Sequence, residues 1–262
     1  MKEEAFLLIN EKDWLDRETK EMLLEKLAFL NFDFTINKGI ANKKYYEYCI
    51  NAIPFDSSKL PQEAIEDIKN YINVYSHRLK FDEISCYELI GHEILHAFDT
   101  NNRLIDQYGN SKKITTEKSD KELKTREQCL IDQYSSQTIE GINKKVNGTA
   151  TLDENLGDNG SIKLAYRTYL KYVKRLNYKM KPLKGKKKLS SNQLFFISGA
   201  RFYCYKRSKE SLIEQQEKDE HTTEKNRLMT SLSNFNPFAK AFNCKIGTPM
   251  NPKNKCEVWR HK

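Results

Sequence analysis

The chain has 262 residues, 38% of them hydrophobic and 11% aromatic, with only ten glycines and six prolines, which excludes collagen-like, low-complexity and wholly disordered classes. A formal net charge of +9 raises the question of a nucleic-acid or acidic-membrane partner. Most lysines, however, alternate with glutamates along helical stretches, and the one dense basic run, KMKPLKGKKKL at 179–189, carries the Pro and Gly of a loop, so a nucleic-acid partner is not expected.

In chain order, residues 11–30 set Trp14, Leu15, Met22, Leu23, Leu27 and Leu30 at three- and four-residue steps, the period of an amphipathic helix, with Asp16 and Thr19 suited to cap its start. Residues 31–60 mix aromatic and β-branched positions with turn formers and read as irregular strand and loop. The segment 62–75 places Ile65, Ile68 and Ile72 on one helical face, and 82–99 reads as a second, more apolar helix ended by Asn101, Asn102 and Gly109. Helix is expected again over 119–141, a turn at 143–152 and a long helix from about Asp153 to Leu176. Beyond the lysine-rich loop, SSNQLFFISGARFYCYKRS opens with an N-cap serine and is apolar enough to be core. EHTTEKNRLMTSLSN and the Asn- and Pro-rich tail read as irregular. No internal repeat is visible, so the expected object is one body, mainly α with a small irregular β portion.

No stretch approaches the roughly 20 apolar residues of a membrane span, and MKEEAFLLINEKDW offers no adequate h-region for a secretory signal. The six cysteines show no CxxC spacing, so a Cys-only zinc cluster is not indicated, while scattered disulfides and buried thiols both stay open.

The chemistry concentrates in ELIGHEILHAFD, residues 88–99. Residues i and i+4 share a helix face, so His92 and His96 can turn ring nitrogens toward one ion, and Glu93 beside them can serve as a general base instead of a ligand. A catalytic zinc takes three protein ligands and leaves one position open. LDENLGDNGSIKLAY at 152–166 offers the third: Glu154 as ligand, with Asp158 one turn on to orient a histidine. The bland alternative is a core helix carrying two buried histidines, with Glu93 paired to a lysine. His221, read by itself in a polar loop, is a plain solvated histidine.

Several segments, in order, carry a family resemblance: LIGHEILHAFDTNNRLIDQYGN, REQCLIDQYSSQTI, VNGTATLDENLGDNGSIKLAY, LSSNQLFFISGARFYC, DEHTTEKNR and FNCKIGTPMNPKNKCEVW. Together they closely resemble the catalytic region of the neprilysin family of zinc endopeptidases, and NEKDWLDRETKEMLLEKL looks like the helix ahead of it. The resemblance implies a gluzincin, thermolysin-like catalytic domain over 1–262, with an amino-terminal helix and edge-strand region at about 1–81, zinc-binding helices at 82–176, and a helical core, His/Arg loop and tail at 177–262. It implies one Zn2+ per chain held by His92, His96 and Glu154, with Glu93 as base and with Asp99 and Asp158 holding the histidines. His221 would stabilise the oxyanion, and Arg227, Tyr45 and Tyr46 would contact substrate. Short peptides cut on the amino side of hydrophobic residues would be the substrates, in an extracellular or cell-surface setting.

The sequence departs from the family pattern at several places. KKYY at 43–46 puts Lys43 and Lys44 where the family has Asn and Ala to hold the peptide backbone. LKFDEISCYELIG lacks the family's usual glycines, and Thr222 and Thr223 replace a common Ser-Pro. The family's large amino-terminal lobe has no counterpart, so the expectation is a fragment, a truncated product or a minimal relative, with a missing amino-terminal lobe or partner chain as its expected partner. By the same resemblance Cys129 would bond Cys256, while Cys204 and Cys244 would pair with the missing portion. Asn147 in NGT and Asn159 in NGS match the glycosylation sequon. A second reading keeps the zinc fold but makes the chain a catalytically weak binding module.

Overall fold

The computed structural model describes residues 1–31, 88–175 and 189–259. The chain divides into two compact units, Met1–Phe29 with Phe81–Lys262 and Leu30–Lys80, and all described helices and strands belong to the first. The readings for 31–60 and 62–75, the start of the helix expected at 82–99 and most of the lysine-rich loop lie outside the described residues.

The first helix, α1 (Lys2–Asn10), was not expected from the sequence: it buries Ala5, Leu8 and Ile9 at helical spacing. Residues 11–16 then turn, so the helix expected from 11 begins later, as α2 (Arg17–Phe29). Asp16 caps it, accepting the Thr19 N–H at 2.8 Å. The other Asp16 oxygen accepts from Ser119 at 2.8 Å and from Thr116. Thr116 in turn caps the start of α4 (Glu117–Ser135), so one carboxylate ties two helix N-termini together.

Between them lies α3, residues 88–96. It stops at His96 instead of continuing to 99, because the N–H groups of Ala97 and Phe98 bond back only three residues, at 3.3 and 2.9 Å. Asp99 then accepts the N–H groups of Asn101 and Asn102 at 3.1 and 2.7 Å, which fixes the exit turn.

Helix α4 also ends earlier than the expected 141. Its continuation forms a two-stranded antiparallel hairpin, β1 (Thr138–Ile139) with β2 (Lys144–Lys145), in register Thr138 to Lys145 and Ile139 to Lys144. The connection needs left-handed backbone at Gly141 and Asn143, with φ of 94° and 54°, which a helix cannot supply. The long α5 (Leu152–Arg175) matches its expected span and runs through the core.

The carboxyl-terminal part holds α6 (Ser191–Ala200), a 3-10 turn at Arg201–Tyr203, α7 (Lys209–Lys218), α8 (Glu224–Asn234) and α9 (Asn236–Ala241). The last two correct the irregular reading of this region. Helix α8 escapes notice because what it buries is mostly small and polar: Thr230, Ser231, Ser233 and Asn234 lie beside Leu232. The hydroxyls of Ser231 and Ser233 are satisfied within the helix, donating to the Arg227 and Thr230 carbonyls at 2.7 Å each. Asn234 joins three helices, exchanging amide bonds with Gln133 of α4 at 2.9 and 2.8 Å and donating to Asn159 of α5 at 2.8 Å.

The core combines Ile162, Ala165, Tyr166 and Tyr169 of α5 with Phe195 and Phe196 of α6, and with Leu232 and Phe235. Phe195 is fully buried and meets Tyr166, Tyr169 and Phe196 with ring centres 5.2, 4.9 and 5.2 Å away. Each such ring stabilises the fold by about 1.5–3 kcal/mol through burial. Cys129 on α4 is bonded to Cys256 in the tail, 127 residues away, while Cys204 and Cys244 are free. Among the described residues no helix is long and apolar enough to cross a membrane.

Candidate metal centre

Helices α3 and α5 carry the centre, and their close approach is set by Gly157. A Cβ there would lie 2.7 Å from both Nδ1 and Cε1 of His92, so only glycine lets the α5 backbone lie beneath that ring. At the carboxyl end of α3, Thr100 and Asn101 bond the Asp153 carboxylate in the first turn of α5, through the Thr100 N–H at 2.9 Å and the Asn101 amide at 2.8 Å. Sequence reasoning passed over Asp153. An acid in the first turn of a helix was its only mark, and such acids are common.

Three side chains converge. The Nε2 atoms of His92 and His96 are 3.0 Å apart; His92 Nε2 is 3.0 Å from Glu154 Oε2, and His96 Nε2 is 3.5 Å from Glu154 Oε1. One donor atom from each falls within 4.8 Å of the others. A tetrahedral zinc with bonds near 2.0–2.1 Å separates its ligand atoms by about 3.3 Å, so the spacing fits. The donor chemistry fits too. His92 Nε2 faces both another imidazole nitrogen and a carboxylate oxygen, and a single N–H or lone pair cannot satisfy both, whereas a cation between the three satisfies all of them.

The outward-facing nitrogens are held by acids. His96 Nδ1 is 3.1 Å from Asp99 Oδ2. His92 Nδ1 is 3.1 Å from Asp158 Oδ1, an ionic contact. Such partners fix the ring orientation and raise the basicity of the nitrogen turned to the metal. Burial opposes charge on His92, yet Asp158 and Glu154 outweigh it and raise the imidazole to about 9. The pocket favours positive charge, as a cation site must, and metal binding then displaces the proton.

Asp158 is fully buried, which pushes its carboxyl up, but Arg227 and His92 outweigh that and hold it ionised at about 2. Arg227 grips it through Nε and Nη2, both at 2.7 Å, and the Tyr203 hydroxyl donates to it at 3.2 Å. Tyr203 is a further residue the sequence reading did not single out, hidden in an aromatic run that looked like core.

His221 is brought to the cluster. Its Nε2 is 2.7 Å from Glu154 Oε2, and its Nδ1 is 2.8 Å from Asp219 Oδ1. The bond to Glu154 comes first among the causes that raise its pKa. The plain solvated histidine of the polar-loop reading is therefore not what the loop presents. Glu93 is exposed, and among the described residues no cation pairs with it. It lines a cavity of about 90 Å³ together with Glu88, Leu89, His92, Asp158, Phe202, Tyr203, His221 and Arg227. Tyr45 and Tyr46, with Lys43 and Lys44, lie outside the described residues.

The family model for peptidase family M13 matches residues 84–258. The chain belongs to peptidase family M13. An endothelin-converting enzyme homolog of Locusta migratoria is 44% identical over 171 residues, 65% of this chain and 23% of that protein. Neprilysin-11 of Caenorhabditis elegans is 31% identical over 256 residues, 98% of this chain and 29% of that protein. Among solved structures, a Mycobacterium tuberculosis zinc metalloprotease in complex with inhibitor superposes with a TM-score of 0.72 at 20% identity, covering 99% of this chain and 46% of that one. A Haemonchus galactose-containing glycoprotein complex gives 0.60 at 30% identity over 64% of this chain and 28% of that one. The chain spans about a quarter of the length of the M13 relatives it matches. M13 membership implies zinc, and the residues present fit it.

Proposed function

We propose that this chain is the catalytic domain of a zinc endopeptidase, spanning 1–262, that holds one Zn2+ through His92, His96 and Glu154 and hydrolyses short peptides. The observation that carries the reading is the convergence of those three donors beside a cavity that Glu93, His221 and Arg227 also line. Bound zinc supplies a Lewis acid for the scissile carbonyl and lowers the pKa of water toward about 7. Glu93 takes the proton from the attacking water and returns it to the leaving amine. His221 donates from Nε2 to the negative charge that develops on the former carbonyl oxygen. Asp99 and Asp158 keep the two histidines aimed at the metal. Arg227 commits two N–H groups to Asp158 and keeps donors on Nη1 and Nη2 for a peptide carbonyl; on the family resemblance alone, Tyr45 and Tyr46 are further substrate-contacting residues.

The apolar lining from Leu89 and Phe202 supports cleavage on the amino side of hydrophobic residues. The Cys129–Cys256 bond and the exposed Asn147 sequon support an extracellular or cell-surface setting. The test is metal analysis together with cleavage of a quenched peptide by wild type and Glu93→Gln. One zinc per chain is expected in both, with activity reduced about 10²–10⁴-fold in the variant. A second reading, a weak pseudo-peptidase serving as a binding module, is favoured by Lys43 and Lys44 at the peptide-gripping positions. It predicts a folded, zinc-loaded protein with no turnover on any peptide.

A further inference from the structure

The cavity beside the cluster has walls of two kinds. Leu89 and Phe202 are 43% and 39% exposed and offer apolar surface to whatever enters. Glu88, one turn ahead of His92 on α3, lines the same cavity but is only 6% exposed. Its carboxyl rests against Gly199 near the end of α6, where an added Cβ would come within 2.1 Å of Oε1 and 2.6 Å of Cδ and Oε2. The missing side chain at 199 is what gives this acid its seat. Among the described residues no donor or cation pairs with it, and burial, then the neighbouring Asp158 carboxylate, push it up to about 8. The nearby Arg227 guanidinium is directed at Asp158. A buried acid without a partner is costly unless something supplies one.

We infer that this cavity receives a lysine side chain of the substrate, its methylenes lying between Leu89 and Phe202 and its ammonium meeting Glu88. The space, about 90 Å³, is of the size of one side chain. A leucine would fill the walls and leave the Glu88 carboxyl unpaired. Asp158 is balanced by Arg227 and Glu93 serves the attacking water, so Glu88 is the lining carboxylate left to meet an incoming ammonium. The inference rests on the peptidase reading, and on the carboxyl side of the cleaved bond it replaces the hydrophobic residue proposed above with lysine, whose stem is apolar and whose end is charged.

The test uses the zinc-loaded full chain and three peptide hydroxamates that differ only in the first side chain beyond the chelating group: lysine, leucine or glutamine. Calorimetric titration is expected to give the lysine compound about tenfold tighter binding than the leucine one, the scale of a hydrogen bond to a charged group. Glu88→Gln should erase that advantage and Glu88→Leu should reverse it. Equal affinities for lysine and leucine, or glutamine binding as well as lysine, would overturn the assignment. Peptide cleavage is followed in parallel: no turnover with the lysine preference intact would sink the peptidase reading and leave the pocket standing.

Discussion

Two regions of one helix show how differently the fold uses its interior. The amino-terminal turns of α5 bury Glu154, Asn155 and Asp158 against α3, whereas its later turns bury Ile162, Ala165, Tyr166 and Tyr169 against α6. In the second region, stability comes from apolar area and ring contacts that tolerate little loss of volume. In the first it depends on each charge having its partner, and the same contacts that satisfy the acids aim the histidines. The polar end can be damaged in function without unfolding; the aromatic end cannot.

The largest expected effect tests the aromatic end. Phe195→Ala should cost about 3–5 kcal/mol in denaturant unfolding, while the protein still folded in buffer keeps its zinc stoichiometry. Asp158→Ala should blur the contrast, because it removes the acid in contact with His92 and also leaves Arg227 buried without its partner. A loss of about 3–5 kcal/mol, typical of a broken buried pair, together with weaker zinc binding, is expected by calorimetry. Asp99→Ala sharpens the contrast: zinc affinity should fall about 10–100-fold, with the metal-free unfolding midpoint close to wild type.

The smallest effect concerns Asp16, far from the metal. Burial pushes its carboxyl up, but bonds from Thr116, Thr19 and Ser119 outweigh this and hold it at about 2, below the ordinary 3.8. A depressed folded pKa gives stability that is complete above the unfolded value and is lost as pH falls toward the folded one. Asp16→Ala should therefore cost about 1 kcal/mol at neutral pH, a difference from wild type that shrinks between pH 4 and pH 2 in urea titrations.

What could be read from the sequence follows the same division. The four-residue step from His92 to His96 and the acids of LDENLGD were legible because metal donors at helical spacing are rare by accident. The span of α5 was legible because its apolar residues keep the helical period. Helix α8 was not, since Ser231, Ser233 and Asn234 fill buried positions by hydrogen bonding and leave no apolar stripe. The end of α4 was missed because the hairpin depends on backbone conformation at Gly141 and Asn143. Glu88 went unnoticed because its interest comes from Gly199, 111 positions later in the chain.

The Cys129–Cys256 bond has a consequence at a distance. Three residues beyond Cys256, Trp259 packs edge-on to Phe98, with ring centres 6.3 Å apart, and its carbonyl accepts from Lys163 of α5 at 2.5 Å. The tail thus braces the turn that follows His96, and a covalent staple on α4 keeps that brace in place. A mild thiol reductant is then a handle on the rigidity of the histidine helix that leaves His92, His96 and Glu154 chemically intact.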